Sequence, residues 1–204
     1  MKYLLILLTG AVIMMTIRNN AVPDREPLNP GDTVLAFGDS LTYGYGAGQE
    51  QSYPAVLSSL GGHTVINAGV NGETSADGLR RLPMLLDRHH PRLTILCFGG
   101  NDILQRKPLV DLKARLIRMI HMLRAQGSEV VLVSVPNIGL LGLHPLELYD
   151  EVADETDTPL ISGVLAEILD DPSLKSDQIH PNAAGYRMMA EKIFSELKSL
   201  GYYR

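Results

Sequence analysis

Short, almost unbroken apolar runs alternate with segments of helical periodicity along most of this chain. That alternation restricts the fold more than any other feature. Thr33 to Phe37, Leu93 to Phe98 and Val130 to Val135 are runs of this kind. A strand with one wet face alternates polar and apolar residues, whereas a strand covered on both faces does not. Thr64 to Asn67 and Pro159 to Ser162 read as two further, shorter strands. Between them, Tyr53 to Leu60 reads as a helix, with Ser52 as N-cap and Pro54 in its first turn. A second helix runs from Ser75 to about His89, where Leu79, Leu82, Leu85 and Leu86 keep helical spacing. Leu112, Leu116, Met119, Ile120 and Leu123 form one stripe in a third helix, Leu109 to Gln126, ended by Gly127. Ala183 to Leu197 closes the chain as a fourth. Strand–helix alternation of this sort predicts an α/β fold, a parallel sheet with helices on both faces.

The 204 residues fit one domain with a full core, and an apolar content of 45% with 20% charged residues argues against disorder. A net charge of −5 leaves no basic stripe to displace phosphate counterions, so nucleic acid is not expected as a partner. Cys97, the single cysteine, excludes an internal disulfide and any CxxC metal site. No His, Cys or Glu grouping has metal-ligand spacing, so no metal is expected.

The first residues are a separate matter. Lys2 precedes an apolar stretch, Tyr3 to Ile17, that ends at Arg18 and Asn19-Asn20, the pattern of a secretory h-region. Ala21 has Asn19 where a cleavage site wants a small residue, and the stretch is short of the about 20 residues of a membrane span. A removed signal peptide and an uncleaved anchor both stay open. We expect export to the periplasm or to its side of the inner membrane, with residues 1–21 as signal or anchor, 22–31 as linker and 32–204 as the domain.

Four polar blocks interrupt this pattern: Gly38-Asp39-Ser40-Leu41, Asn67-Ala68-Gly69 running to Gly72, Gly99-Gly100-Asn101-Asp102, and Asp177-Gln178-Ile179-His180. The first three directly follow the first three strands, where ligands of open α/β sheets bind. Ser40 in a tight strand-to-helix turn is either a helix N-cap or an exposed nucleophile. His180 is the candidate base, with Asp177 three residues before it, close enough on a loop to orient the imidazole. Gly72, Asn101 and the Ser40 backbone are candidate oxyanion donors. Asp39 and Asp102 are expected to hold their loops through backbone N–H groups. His89 and His90 end a helix, His121 lies within one, and His63 and His144 sit in loops, His144 as a candidate pocket residue. Gly44-Tyr45-Gly46-Ala47-Gly48 lacks the G-x-G-x-x-G order and reads as a flexible loop beside the nucleophile. The leucines of 137–157 offer either an apolar wall for an acyl or aryl group or ordinary packing.

On these residues the chain resembles the SGNH (GDSL) hydrolases, whose Ser, Gly, Asn and His fall here on Ser40, Gly72, Asn101 and His180, with Asp177 in the Asp-x-x-His. The likeness runs from about Asp32 to the C-terminus and is greatest to the bacterial periplasmic thioesterase/lysophospholipase and arylesterase group, notably across Gly69 to Asp102. It implies a flavodoxin-like three-layer α/β/α sandwich with about five parallel strands. It also implies hydrolysis of carboxylic ester, thioester or lysophospholipid bonds, with Ser40, Asp177 and His180 catalytic and Ser40, Gly72 and Asn101 as oxyanion hole. No cofactor and no obligate protein partner are implied, and the substrate would be a small-molecule or lipid ester. The alternative is an O-acetylesterase of envelope polysaccharide or peptidoglycan.

Overall fold

The computed structural model describes residues 25–139, 142–144 and 146–204. The stretch read as a signal or anchor lies outside them. Among the described residues no helix is long and apolar enough to cross a membrane.

The chain runs β1 (Thr33–Gly38), α1 (Ser40–Tyr43), α2 (Tyr53–Gly61), β2 (Thr64–Gly69), α3 (Ser75–His89) and β3 (Leu93–Cys97). It continues through α4 (Gly100–Leu104), α5 (Leu109–Ala125) and β4 (Glu129–Val133), then a hairpin of β5 (Asn137–Gly139) and β6 (Gly142–His144). Last come α6 (Glu147–Thr156), β7 (Leu160–Ile161), α7 (Val164–Asp170) and α8 (Ala183–Ser199). The main sheet has five parallel strands in the order β2-β1-β3-β4-β7. In β1, Val34 to Phe37 are fully buried, as are Leu93 and Ile95 to Cys97 in β3. Those strands are covered on both sides, which is why their sequences do not alternate.

Right-handed crossovers place the helix after β1 on one face and those after β2, β3 and β4 on the other. Accordingly α2 packs with α8, while α3 packs with α5 and α5 with α6. This is the expected three-layer sandwich. Arg25 reaches Glu129 at 3.5 Å, and Leu28 is buried with its N–H on the Tyr202 carbonyl.

The hairpin, α4 and α7 are elements that the pattern of apolar residues did not predict. Leu148, from the leucine-rich segment, is buried in the core and Leu146 packs against it. Leu140 and Leu141 lie outside the described residues.

From β1 the chain first steps outward to β2 and then returns to β3 on the other side. This reversal opens a crevice at the carboxyl ends of β1 and β3. Ser40 and Asn101 both stand there, each in the short helix that follows its strand.

Candidate active site

The turn carrying Ser40 depends on its neighbours. A Cβ on Gly38 would stand 2.1 Å from Thr42 Oγ1 and 2.4 Å from the Cys97 carbonyl, so β1 must end in glycine for the chain to turn there. Asp39 caps α1, its Oδ1 accepting the Leu41 N–H at 3.0 Å. Ser40 is therefore not the capping residue, and its hydroxyl faces elsewhere.

It faces His180. Ser40 Oγ lies 2.9 Å from His180 Nε2, and His180 Nδ1 lies 2.8 Å from Asp177 Oδ2. The other carboxylate oxygen of Asp177 accepts the N–H groups of Ile179 and His180, each at 2.8 Å. The loop is pinned on both sides. Ser176 N–H donates to the His180 carbonyl, and Asn182 caps α8 through the N–H groups of Ala184 and Gly185. The Tyr45 ring packs on the His180 ring with centroids 4.6 Å apart. Burial opposes the charge on Asp177, but the two N–H groups and the imidazole outweigh it and hold the carboxyl below its ordinary range.

Asn101 occupies the second position of α4, where its side-chain Nδ2 donates to the Glu73 carbonyl at 2.9 Å. Gly72 has φ +78°, a left-handed conformation natural to glycine, and is exposed. A small cavity of about 20 Å³ beside the serine is lined by Ser40, Asn101 and His180, with apolar walls from Leu104, Val135, Leu169 and Ile179. Gly72 is not among the residues that line it.

Asp39 and Asp102 do hold their loops through backbone N–H groups. Asp102 accepts both the N–H and the hydroxyl of Ser75, each at 2.7 Å. The second oxygen of Asp39 is buried and without a hydrogen-bond partner among the described residues, and burial pushes its carboxyl up to about 7. Cys97 is fully buried, its thiol pushed well up by desolvation. His63 bonds the Gly61 carbonyl away from the site, and His144 lies in β6. The apolar wall was not visible in the sequence: Leu104 and Leu169 come from two short helices 65 residues apart.

The chain matches the GDSL-like lipase/acylhydrolase family over residues 36–188. It is 32% identical to an arylesterase of Vibrio mimicus over 176 residues, covering 81% of this chain and 88% of that one. It is 31% identical to thioesterase 1/protease 1/lysophospholipase L1 of Escherichia coli K12, covering 83% and 85%. Among solved structures, that of TesA superposes with a TM-score of 0.76 at 30% identity, covering 83% of this chain and 99% of that one.

Proposed function

The chain belongs to the GDSL-like lipase/acylhydrolase family and is a carboxylic ester hydrolase, and we propose that it works as an exported serine esterase through an acyl-enzyme. The observation that carries this reading is the unbroken relay from Ser40 Oγ through His180 to Asp177, at 2.9 and 2.8 Å. Ser40 Oγ attacks the acyl carbon while its proton passes to His180 Nε2. Asp177 holds the Nδ1 proton, which fixes the tautomer and stabilises the imidazolium. The oxyanion is received by the Ser40 backbone, Gly72 and Asn101. His180 then gives its proton to the departing alkoxide or thiolate. Water, deprotonated by His180, attacks the acyl-enzyme, and the proton returns to Ser40 as the acid leaves.

The cavity of about 20 Å³ has room for one water-sized group. It supports a short acyl group, and for that reason an O-acetylated glycan of the cell envelope is the second reading. The apolar stretch Tyr3 to Ile17 supports export.

The test is hydrolysis of p-nitrophenyl esters from acetate to palmitate by wild type and Ser40→Ala. We expect turnover by the wild type, best on the shorter esters, and none by a folded Ser40→Ala protein. Full turnover in that variant would overturn the reading. If acetylated glycans are preferred over every simple ester, the second reading replaces the first as to substrate.

A further inference from the structure

At the carboxyl ends of β1 and β2 a cation gathers backbone carbonyls from both strands. Arg81 projects from α3. Its Nη2 donates to the Ala68 carbonyl at 2.7 Å and to the Gly38 carbonyl at 3.2 Å. Its Nε lies 2.8 and 2.7 Å from the two carboxylate oxygens of Glu73, and Nη2 lies 2.7 Å from one of them. The guanidinium carbon sits 4.7 Å from the centre of the Phe37 ring. Arg81 and Glu73 are only 17% and 15% exposed, so water screens the pair little.

These contacts connect parts that the chemistry needs in register. Gly38 precedes the Asp39–Ser40 turn, Ala68 is the penultimate residue of the strand that leads to Gly72, and Glu73 directly follows Gly72. The carbonyl of that same Glu73 receives Asn101 Nδ2 at 2.9 Å. Glu73 is thus gripped by Arg81 through its side chain and turns Asn101 through its backbone. Lysine could not replace this grip, because its ammonium is a point charge, whereas the guanidinium is a rigid fork of five donors.

We infer that Arg81 is a positioning residue for the oxyanion site: through Glu73 it fixes the side-chain amide of Asn101. The inference rests on the reading of Asn101 as an oxyanion donor. A clamp that served stability alone would lower the melting temperature and leave turnover per folded molecule intact. A positioning residue lowers kcat with little change in KM, and its effect disappears once Asn101 has no amide to position.

The test is p-nitrophenyl acetate hydrolysis by Arg81→Met, Arg81→Lys, Asn101→Ala and both double variants, with Ser40→Ala as reference. Arg81→Met should lower kcat about 10- to 100-fold with KM within about 3-fold, and Arg81→Lys should fall between it and wild type. Neither change should lower kcat further in the Asn101→Ala background. Arg81→Lys keeps the charge, so it carries the test if Arg81→Met does not fold. Turnover of Arg81→Lys and Arg81→Met within about 2-fold of wild type, or losses that multiply with that of Asn101→Ala, would overturn the inference. An active Ser40→Ala would instead overturn the serine mechanism, whatever Arg81 does. An inactive Ser40→Ala with multiplying losses would sink the Arg81 role alone.

Discussion

Asp102 and Ser75 are joined by two hydrogen bonds of 2.7 Å, from the Ser75 N–H and from its hydroxyl, and Asp102 is fully buried. The pair ties the start of α3 to α4, the short helix that carries Asn101, and it places a carboxylate at a helix N-terminus where negative charge is favoured. Asp102→Ala would leave the Ser75 N–H buried without that acceptor, which should cost about 2–3 kcal/mol of stability. Because Asn101 is adjacent, turnover should fall as well, by roughly tenfold. Urea midpoints and kcat for p-nitrophenyl acetate check both, and a midpoint equal to that of wild type would show that the pair holds nothing.

The Asp177 side chain is 44% exposed. Its hold on His180 therefore rests on geometry, with one oxygen on the imidazole and the other on two backbone N–H groups. Asp177→Asn should keep the loop folded yet present the wrong hydrogen-bonding partner to Nδ1, lowering kcat about 10²–10⁴-fold. Its native carboxyl titrates below the ordinary range, so its contribution to stability is complete above that range. The contribution is lost as pH falls through the lowered native value. A kcat for Asp177→Asn near that of wild type would mean that another group orients His180.

Strands buried on both faces announce themselves in sequence, and so the sheet was legible from runs such as Leu93 to Phe98. Ser40, Asp177 and His180 were legible because a turn glycine, a D-x-x-H spacing and a strand end are local signals. The structure brings the three side chains into one relay across 140 residues. The hairpin was not legible: strands of three residues are too short for any period to show. Val164, Leu165, Ile168 and Leu169 do have helical spacing, but seven residues between glycine and Asp-Pro make a faint signal. Arg81 reads in sequence as one more cation on an amphipathic helix. Only the crossover from β2 through α3 to β3 aims it at carbonyls of β1 and β2.

Leu104 is 47% exposed, yet it forms part of the wall of the cavity beside Ser40. Trimming it should lengthen this cavity at little cost in stability, because the side chain buries little to begin with. Each added methylene that finds apolar contact gains about 0.8 kcal/mol, so the hexanoate-to-acetate ratio of kcat/KM should rise roughly 3- to 10-fold in Leu104→Ala. The buried Leu169 would give the same shift with a loss of about 2–5 kcal/mol in stability, which makes it the poorer probe. An unchanged chain-length profile in Leu104→Ala would place the acyl group elsewhere.

Asp39 supplies a signature in the pH dependence of folding. Burial raises its carboxyl to about 7, the Leu41 N–H opposes that rise, and the nearby charges of Asp102 and Glu73 reinforce it. An unfolded chain releases the same proton near pH ~4. Between those values the native protein binds a proton that the unfolded chain lacks, so this group's contribution to stability declines as pH rises from ~4 to ~7. Asp39→Asn cannot ionise and loses that slope. Carboxylates held low, such as Asp177 and Asp77, pull in the opposite direction but do so equally in both proteins and cancel in the comparison. The stability of Asp39→Asn relative to wild type should therefore improve by on the order of 3–4 kcal/mol between pH 4 and pH 8. Urea denaturation of both proteins at several pH values in that window measures the difference, and parallel curves would mean that Asp39 keeps its charge throughout.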